Sequence, residues 1–171
     1  MSIKKEELLN KAEALFYGSG FHAVGLKQII NEANVAVMTL YNHFDSKDAL
    51  ILEVLKKREE RYFTYLKAAA EQTEKPAVGL AKSHIKWLEE YGSRGCLFLR
   101  AKEEFGADPN NKIVQFVNQH KQHLLHYFWQ YGLDKQDALK LMLLFEGITA
   151  LVEIKDINEI RIQFLELAEL I

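Results

Sequence analysis

Gly25-Leu26-Lys27-Gln28-Ile29-Ile30-Asn31-Glu32-Ala33-Asn34-Val35-Ala36-Val37-Met38-Thr39-Leu40-Tyr41-Asn42-His43-Phe44 is the stretch whose reading decides the fold. Leu26, Ile29, Ile30 and Ala33 recur at three- and four-residue spacing, which predicts a short helix over about 26–33. Asn34 follows, a residue that tolerates positive φ and suits a tight turn. A second short helix is expected over about 36–44, with Leu40 and Phe44 four apart on its inward face. Ile29, Ala33, Val35 and Leu40 then stand where a helix-turn-helix makes its apolar contacts. Val37, Met38 and Tyr41 occupy the other side of a helix too short to hide both faces. A plain surface helix would carry Lys or Glu there. Such a face suits a DNA major groove, which offers thymine methyls and phosphates. Periodicity alone leaves open that these residues pack under a neighbouring segment.

Outward from this motif the helical period continues. Leu8, Leu9, Ala12, Leu15 and Phe16 share a face, and Gly18-Ser19-Gly20 ends that helix. Asp45-Ser46 reads as the N-cap of a long fourth helix, with Asp48 in its first turn. That helix carries Leu50, Val54, Arg58, Arg61, Tyr62 and Tyr65 and ends before Pro76. Further helices are expected at about 77–92, 94–106, 110–131, 135–154 and 157–170, broken at Gly92-Ser93, Gly106–Asn110, Gly132 and Asp156. No strand candidate, internal repeat or low-complexity stretch stands out. The expectation is an all-α chain. A helix-turn-helix domain over 2–62, with its motif at 25–44, is joined through the fourth helix to a helical domain over 63–171.

Composition limits the function classes. Of 171 residues, 49% are apolar and 27% charged, the balance of a soluble globule. The longest apolar run, Leu141 to Phe145, is far short of the roughly 18 residues of a membrane span. The N-terminus turns acidic at Glu6-Glu7, where a signal peptide would turn apolar. Cys96 is the only cysteine, which fits a reducing cytoplasm. Net charge is −2, and the first 61 residues hold nine Lys plus Arg and nine Asp plus Glu. A DNA reading must therefore rest on where charge is placed, since nucleic-acid binders usually show a basic domain.

Gly20-Phe21, Ile29, Ala33, Val35 and above all the run Thr39-Leu40-Tyr41-Asn42-His43-Phe44-Asp45-Ser46-Lys47-Asp48-Ala49-Leu50 resemble the DNA-binding domain of the tetracycline-repressor (TetR) family. Gly95-Cys96-Leu97-Phe98, Glu103-Glu104-Phe105 and Phe145-Glu146-Gly147 are similar to regulatory-domain landmarks in one branch of that family. The resemblance implies that the third helix is the recognition helix. Val37, Met38 and Tyr41 would face base edges. Thr39, Tyr41 and His43 would approach phosphates, with Asn42 in the same run. Lys47, at the start of the fourth helix, would pair a phosphate, and Lys27 would reach the backbone from the other side. Gly25 and Ala36 stand where the family commonly places a capping hydroxyl, Asn34 where it has Gly, and Met38 where it has a small residue. The recognition helix lacks Arg and Lys, so bidentate guanine readout is absent and thymine methyls are the expected contacts.

The family implies a cytoplasmic, homodimeric, ligand-responsive repressor of palindromic operator DNA, with no cofactor, no catalysis and no membrane partner. Two patterns in the C-terminal half agree with that expectation. Apolar residues Leu141, Leu144, Phe145, Ile148, Leu151 and Val152 nearly encircle one helix, while Ile157, Ile160, Phe164, Leu165 and Ala168 stripe the next. The surplus suggests a four-helix dimer interface through Leu144, Phe145, Gly147, Ile148, Leu151, Ile160 and Phe164. Aromatic residues also cluster, and Trp87, Tyr91, Phe98, Phe105, Phe116, His120, Tyr127 and Phe128 are expected to surround a small apolar or aromatic effector, with Glu103 or Glu104 near His120. The competing class is an all-helical metal-dependent enzyme or metal carrier built on His120, His123 and His126. A metal site there would need convergent carboxylates or thiolate, and the Glu-x-x-His signature of di-iron bundles does not occur. Cys96 reads as a small buried hydrophobe, and Glu146, set in an apolar stretch, needs a partner.

Overall fold

A computed structural model describes residues 3–70, 75–92 and 94–171. Its described residues form helices α1 (Ile3–Ser19), α2 (Leu26–Glu32), α3 (Val37–Tyr41), α4 (Lys47–Ala70), α5 (Pro76–Tyr91), α6 (Leu97–Phe105), α7 (Lys112–Gln130), α8 (Lys135–Leu151) and α9 (Ile157–Glu169). The breaks follow local chemistry. Gly20 and Gly132 take φ of +87° and +93°, and Asn34 takes φ of +49°, so the left-handed turns fall on residues that accept them. Asp134 accepts the Gln136 and Asp137 N–H groups and Asp156 accepts that of Asn158, capping α8 and α9. Ser46 Oγ accepts the Ala49 N–H at the start of α4, 3.1 Å away.

These residues pack as two compact units. One takes the described residues up to Arg58 together with Leu97–Asn118; the other takes Glu59–Cys96 and Gln119–Ile171. Compactness thus divides the chain otherwise than a single cut near residue 62. Helix α6 and the first turns of α7 join the helix-turn-helix unit, and α4 and α7 each give residues to both.

In the first unit, Leu8, Leu9, Ala12 and Phe16 of α1 are buried with Phe21, Ile29, Leu40 and Phe44. Ile51, Val54 and Leu55 of α4 and Leu97, Phe98, Ala101, Ile113 and Val117 are buried in this unit as well. An ion pair lies inside it: Arg58 Nη1 donates to Glu13 Oε1 at 2.7 Å, and both side chains are almost fully excluded from solvent. The guanidinium also sits 4.9 Å from the Tyr17 ring centroid. Charges withdrawn from water survive only when paired.

The second unit has a core of Tyr62, Leu66, Leu80, Ile85, Trp87, Leu124, Phe128, Leu141, Phe145, Ile148 and Phe164. Helices α5, α8 and α9 pack on one another within it. Removing one partner of the buried pair leaves an uncompensated charge. Glu13→Ala is therefore expected to destabilise the protein by about 3 kcal/mol in urea unfolding, far more than truncating the exposed Glu7.

Candidate nucleic-acid interface

The turn between α2 and α3 is built from backbone bonds. The Ala33 N–H donates to the Ile29 carbonyl at 2.9 Å and that of Val35 to the Ile30 carbonyl at 3.3 Å, on either side of left-handed Asn34. Neither Gly25 nor Ala36 supplies a side-chain cap, so α2 and α3 start without one. Helix α3 has five residues. Leu40 is fully buried, and Phe44, just beyond the helix, is buried with it. The opposite face stays in solvent, with Val37, Met38 and Tyr41 exposed by 55%, 66% and 50%. The alternative that another segment covers this face is not what the structure shows. Asn42, His43 and Lys27 are exposed as well, and Thr39 and Lys47 are half-buried at the two ends of the same surface segment. Lys47 opens α4, whose free N-terminal N–H groups add positive potential beside its ammonium.

The effector residues proposed from sequence do not assemble in one unit. Phe98, Phe105 and Phe116 belong to the first. Phe98 is buried there, and Phe105 packs on Phe21 and His22, with centroids 5.9 and 4.8 Å away. Trp87, Tyr91, His120, Tyr127 and Phe128 belong to the second. Trp87 lies 4.6 Å from Tyr91 and 5.0 Å from Tyr62, Tyr127 lies 5.0 Å from Phe63, and Phe128 lies 5.2 Å from Phe145. Buried His120 places Nδ1 2.9 Å from Glu59 Oε1, and exposed His123 places its own 3.3 Å from the same oxygen. The partner of His120 is therefore Glu59, not Glu103 or Glu104. Burial works to raise the Glu59 pKa, but the bonds from His120 and His123 outweigh it and hold the carboxyl below its usual range. Burial depresses the His120 pKa.

Among the described residues no three His, Cys, Asp or Glu side chains converge as metal ligands. His126 lies against Trp129, 5.8 Å away. Glu146 finds its partner in Lys121, whose Nζ is also 4.0 Å from Cys96 Sγ.

Sequence reasoning missed a buried chain in this unit. Thr149 Oγ1 donates to the Phe145 carbonyl at 2.7 Å, so it accepts from His84 Nε2 at 3.0 Å. That leaves His84 Nδ1 to accept the Tyr62 hydroxyl proton at 2.9 Å. One carbonyl thus fixes the tautomer and the direction of the whole chain. His84 also stacks on Phe145 at 4.1 Å. Burial lowers its pKa to about 3, and burial together with nearby Cys96 and Glu146 raises that of Tyr62 well above the ordinary phenol value.

Three residues expected at a dimer interface lie inside the second unit instead. Phe145, Ile148 and Phe164 are buried in its core, and Leu144 and Ile160 pack half-buried against it. An all-round apolar helix cannot reveal by spacing which side faces inward. The solvent side of α8 is a stripe of Leu139, Leu143, Gly147 and Leu151 at four-residue steps, with the two leucines at 53% and 66% exposure at its head. A Cβ added at Gly147 would meet nothing within 4 Å. Ile162 and Leu167 of α9 are exposed too. No helix among the described residues is long and apolar enough to cross a membrane.

Comparison with known proteins agrees with this architecture. Residues 8–54 match the model of bacterial regulatory proteins of the tetR family. The HTH-type transcriptional regulator UidR of Escherichia coli is 37% identical over 57 residues, which cover 33% of this chain and 29% of that protein. The match therefore spans under a third of this relative's length. The crystal structure of SCO4454, a TetR-family transcriptional regulator from Streptomyces coelicolor, superposes with a TM-score of 0.89 at 29% identity, covering 98% of this chain and 87% of that one. Multidrug binding protein EbrR, solved with malachite green, shares the fold, with a TM-score of 0.75 at 16% identity over 98% of this chain and 97% of that one.

Buried His84 makes stability depend on pH. A folded-state pKa below the unfolded value near 6.5 means that the unfolded chain takes up a proton first. The His84 contribution is complete above about pH 6.5 and is lost as pH falls from there toward 3. Each proton involved costs about 1.4 kcal/mol per pH unit in that window. Urea midpoints measured between pH 7 and pH 4 are expected to fall steeply for the wild type, and less steeply for His84→Gln.

Proposed function

Because the chain belongs to the TetR family of bacterial regulatory proteins, we propose that it is a ligand-responsive transcriptional repressor that binds a palindromic operator as a homodimer. The observation that carries this reading is the outward face of α3. Val37, Met38 and Tyr41 are exposed on a helix whose other side is anchored by Leu40. Water is a poor neighbour for that surface, while a major groove supplies thymine methyls for Val37 and Met38 and an edge for Tyr41. Thr39, Asn42, His43, Lys27 and Lys47 surround it with hydrogen-bond donors for phosphates.

Two such helices reach successive major grooves only when about 34 Å apart, which calls for a dimer. The exposed stripe on α8, Leu139, Leu143, Gly147 and Leu151, together with exposed Ile162 of α9 and half-buried Leu144 and Ile160, is the surface we assign to a second copy of this chain. Its small central residue allows two helices to approach closely, and a self-complementary stripe suits a two-fold axis. The rings of the second unit, Trp87, Tyr91, Tyr127 and Phe128 with His120 among them, form the region proposed for a small apolar or aromatic effector. EbrR, which shares the fold, was solved with malachite green. The effector releases DNA by binding more tightly to a conformer whose recognition helices no longer match the operator, and its leverage equals that difference in affinity.

In vitro selection from random duplex DNA tests the proposal. The expected product is a palindrome with half-sites one helical turn apart and A·T pairs at the contacts of α3. Tyr41→Ala should weaken binding to that duplex by roughly 1–3 kcal/mol with the melting temperature unchanged. Lys47→Ala should weaken binding to all duplexes alike and lower the salt slope by about 0.9. Failure to enrich any sequence would contradict the reading. Leu143→Glu should convert the dimer seen by light scattering into a monomer, and a wild type that is already monomeric at micromolar concentration would remove the dimer from the proposal.

A further inference from the structure

Helix α6 carries a pair of opposite charges one turn apart, and both close on the end of α1. Arg100 Nη1 donates to the Tyr17 carbonyl at 2.7 Å, in the last turn of α1, where carbonyls lack helical partners. Glu104 takes the amides beyond it. Its Oε1 accepts the Phe21 N–H at 2.8 Å, and its Oε2 accepts the His22 N–H at 2.6 Å. The His22 ring nitrogen Nδ1 lies 2.9 Å from the same Oε2. Phe105, the next residue, meets Phe21 edge-to-face and His22 at a tilt.

The turn so held begins at Gly20, whose φ is +87°. A Cβ there would sit 2.8 Å from Glu104 Oε1, so the close approach of the carboxylate and the left-handed backbone require glycine together. From this turn the chain enters α2 and α3, and α1 packs on both. The Phe21 ring is fully buried, 5.0 Å from that of Phe16, so the turn is fixed by an aromatic anchor inside and a carboxylate outside.

We infer that Glu104 is a positioning residue for DNA binding: its carboxylate, bridging the Phe21 and His22 N–H groups, fixes the turn from which the recognition helix is hung. A carboxylate that accepts two adjacent backbone N–H groups makes short, charge-assisted bonds, roughly twice as strong as neutral ones. The residue touches no DNA itself. It acts through the 20–22 turn on the placement of α2 and α3, and placement of the base-contacting face sets sequence discrimination, which phosphate attraction does not carry. The inference rests on the reading of α3 as the recognition helix.

The test uses the full chain carrying Glu104→Ala, Glu104→Gln or Gly20→Ala. Each variant is titrated with the duplex selected by the wild type and with an unrelated duplex of equal length. Amide exchange at Phe21 and His22 is followed in parallel. Glu104→Ala should weaken binding to the selected duplex about tenfold, the worth of a charged hydrogen bond, while the unrelated duplex changes by less than about twofold. Glu104→Gln keeps one acceptor oxygen and should fall between Ala and wild type. Gly20→Ala, which displaces the carboxylate without deleting it, should lose the same selectivity. The Phe21 and His22 amides should exchange faster in all three.

A general loss of stability would not reproduce this order or lower the ratio of selected to unrelated affinity. An unchanged ratio in Glu104→Ala and Glu104→Gln, with faster amide exchange, would make Glu104 merely structural and overturn the inference. If Glu104→Ala does not fold, Glu104→Gln and Gly20→Ala decide by the same ratio. A wild type that selects no duplex overturns the DNA reading and this inference with it, whereas a binding wild type matched by its variants overturns this inference alone.

Discussion

A helix of five residues can bury only one side, and the rest of the N-terminal unit is arranged around that constraint. At 1.5 Å per residue, α3 is about 7.5 Å long, enough to seat Leu40 and to hand the chain on to Phe44. Once those two point inward, Val37, Met38 and Tyr41 must point out. Such a helix is not stable by itself, because a single turn does not repay nucleation. It is held by its neighbours. Asn34 turns the chain, α1 and α2 supply the floor, and Lys47 follows at the head of α4. The buried Arg58–Glu13 pair ties α4 to α1 beneath it.

The second unit uses polar groups differently. Buried His84 is not a charge reservoir. The Phe145 carbonyl orients Thr149, Thr149 orients His84, and His84 orients Tyr62, so four groups have one consistent set of donors and acceptors. A fully satisfied buried network specifies a single arrangement of the helices that carry it, here α4, α5 and α8.

Much of this was legible in the sequence because it is local. Gly20, Asn34, Gly132 and Asp156 mark breaks that occur as read, while the capping side chains of Asp134 and Asp156 emerge only in the structure. The inward and outward faces of α3 also follow from its own spacing. What spacing could not give were partners distant along the chain. Glu104 meets residues 21 and 22 across more than eighty positions, and Glu13 meets Arg58 across forty-five. Phe105 groups in sequence with the aromatic residues of the C-terminal half, yet it packs on the N-terminal turn. Helix α8 is ambiguous for another reason: apolar residues nearly encircle it. Burial separates Phe145 and Ile148, inside, from Leu143 and Leu151, outside, and no periodicity within the helix holds that information. His84 and Tyr62 fell at helical spacing like any core residue, so their bond had no signature of its own.

Methionine methyl NMR offers the most direct measurement of the central claim, that the exposed face of α3 meets base edges. The chain has three methionines. Met38 lies on that face and Met142 is buried in the second unit. In protein labelled with ¹³C at the methionine methyls and titrated with the selected duplex, the account predicts a shifted Met38 signal with intermolecular NOEs to thymine methyls, and a Met142 signal little changed. A complex that forms with Met38 unmoved and silent toward the bases would contradict it.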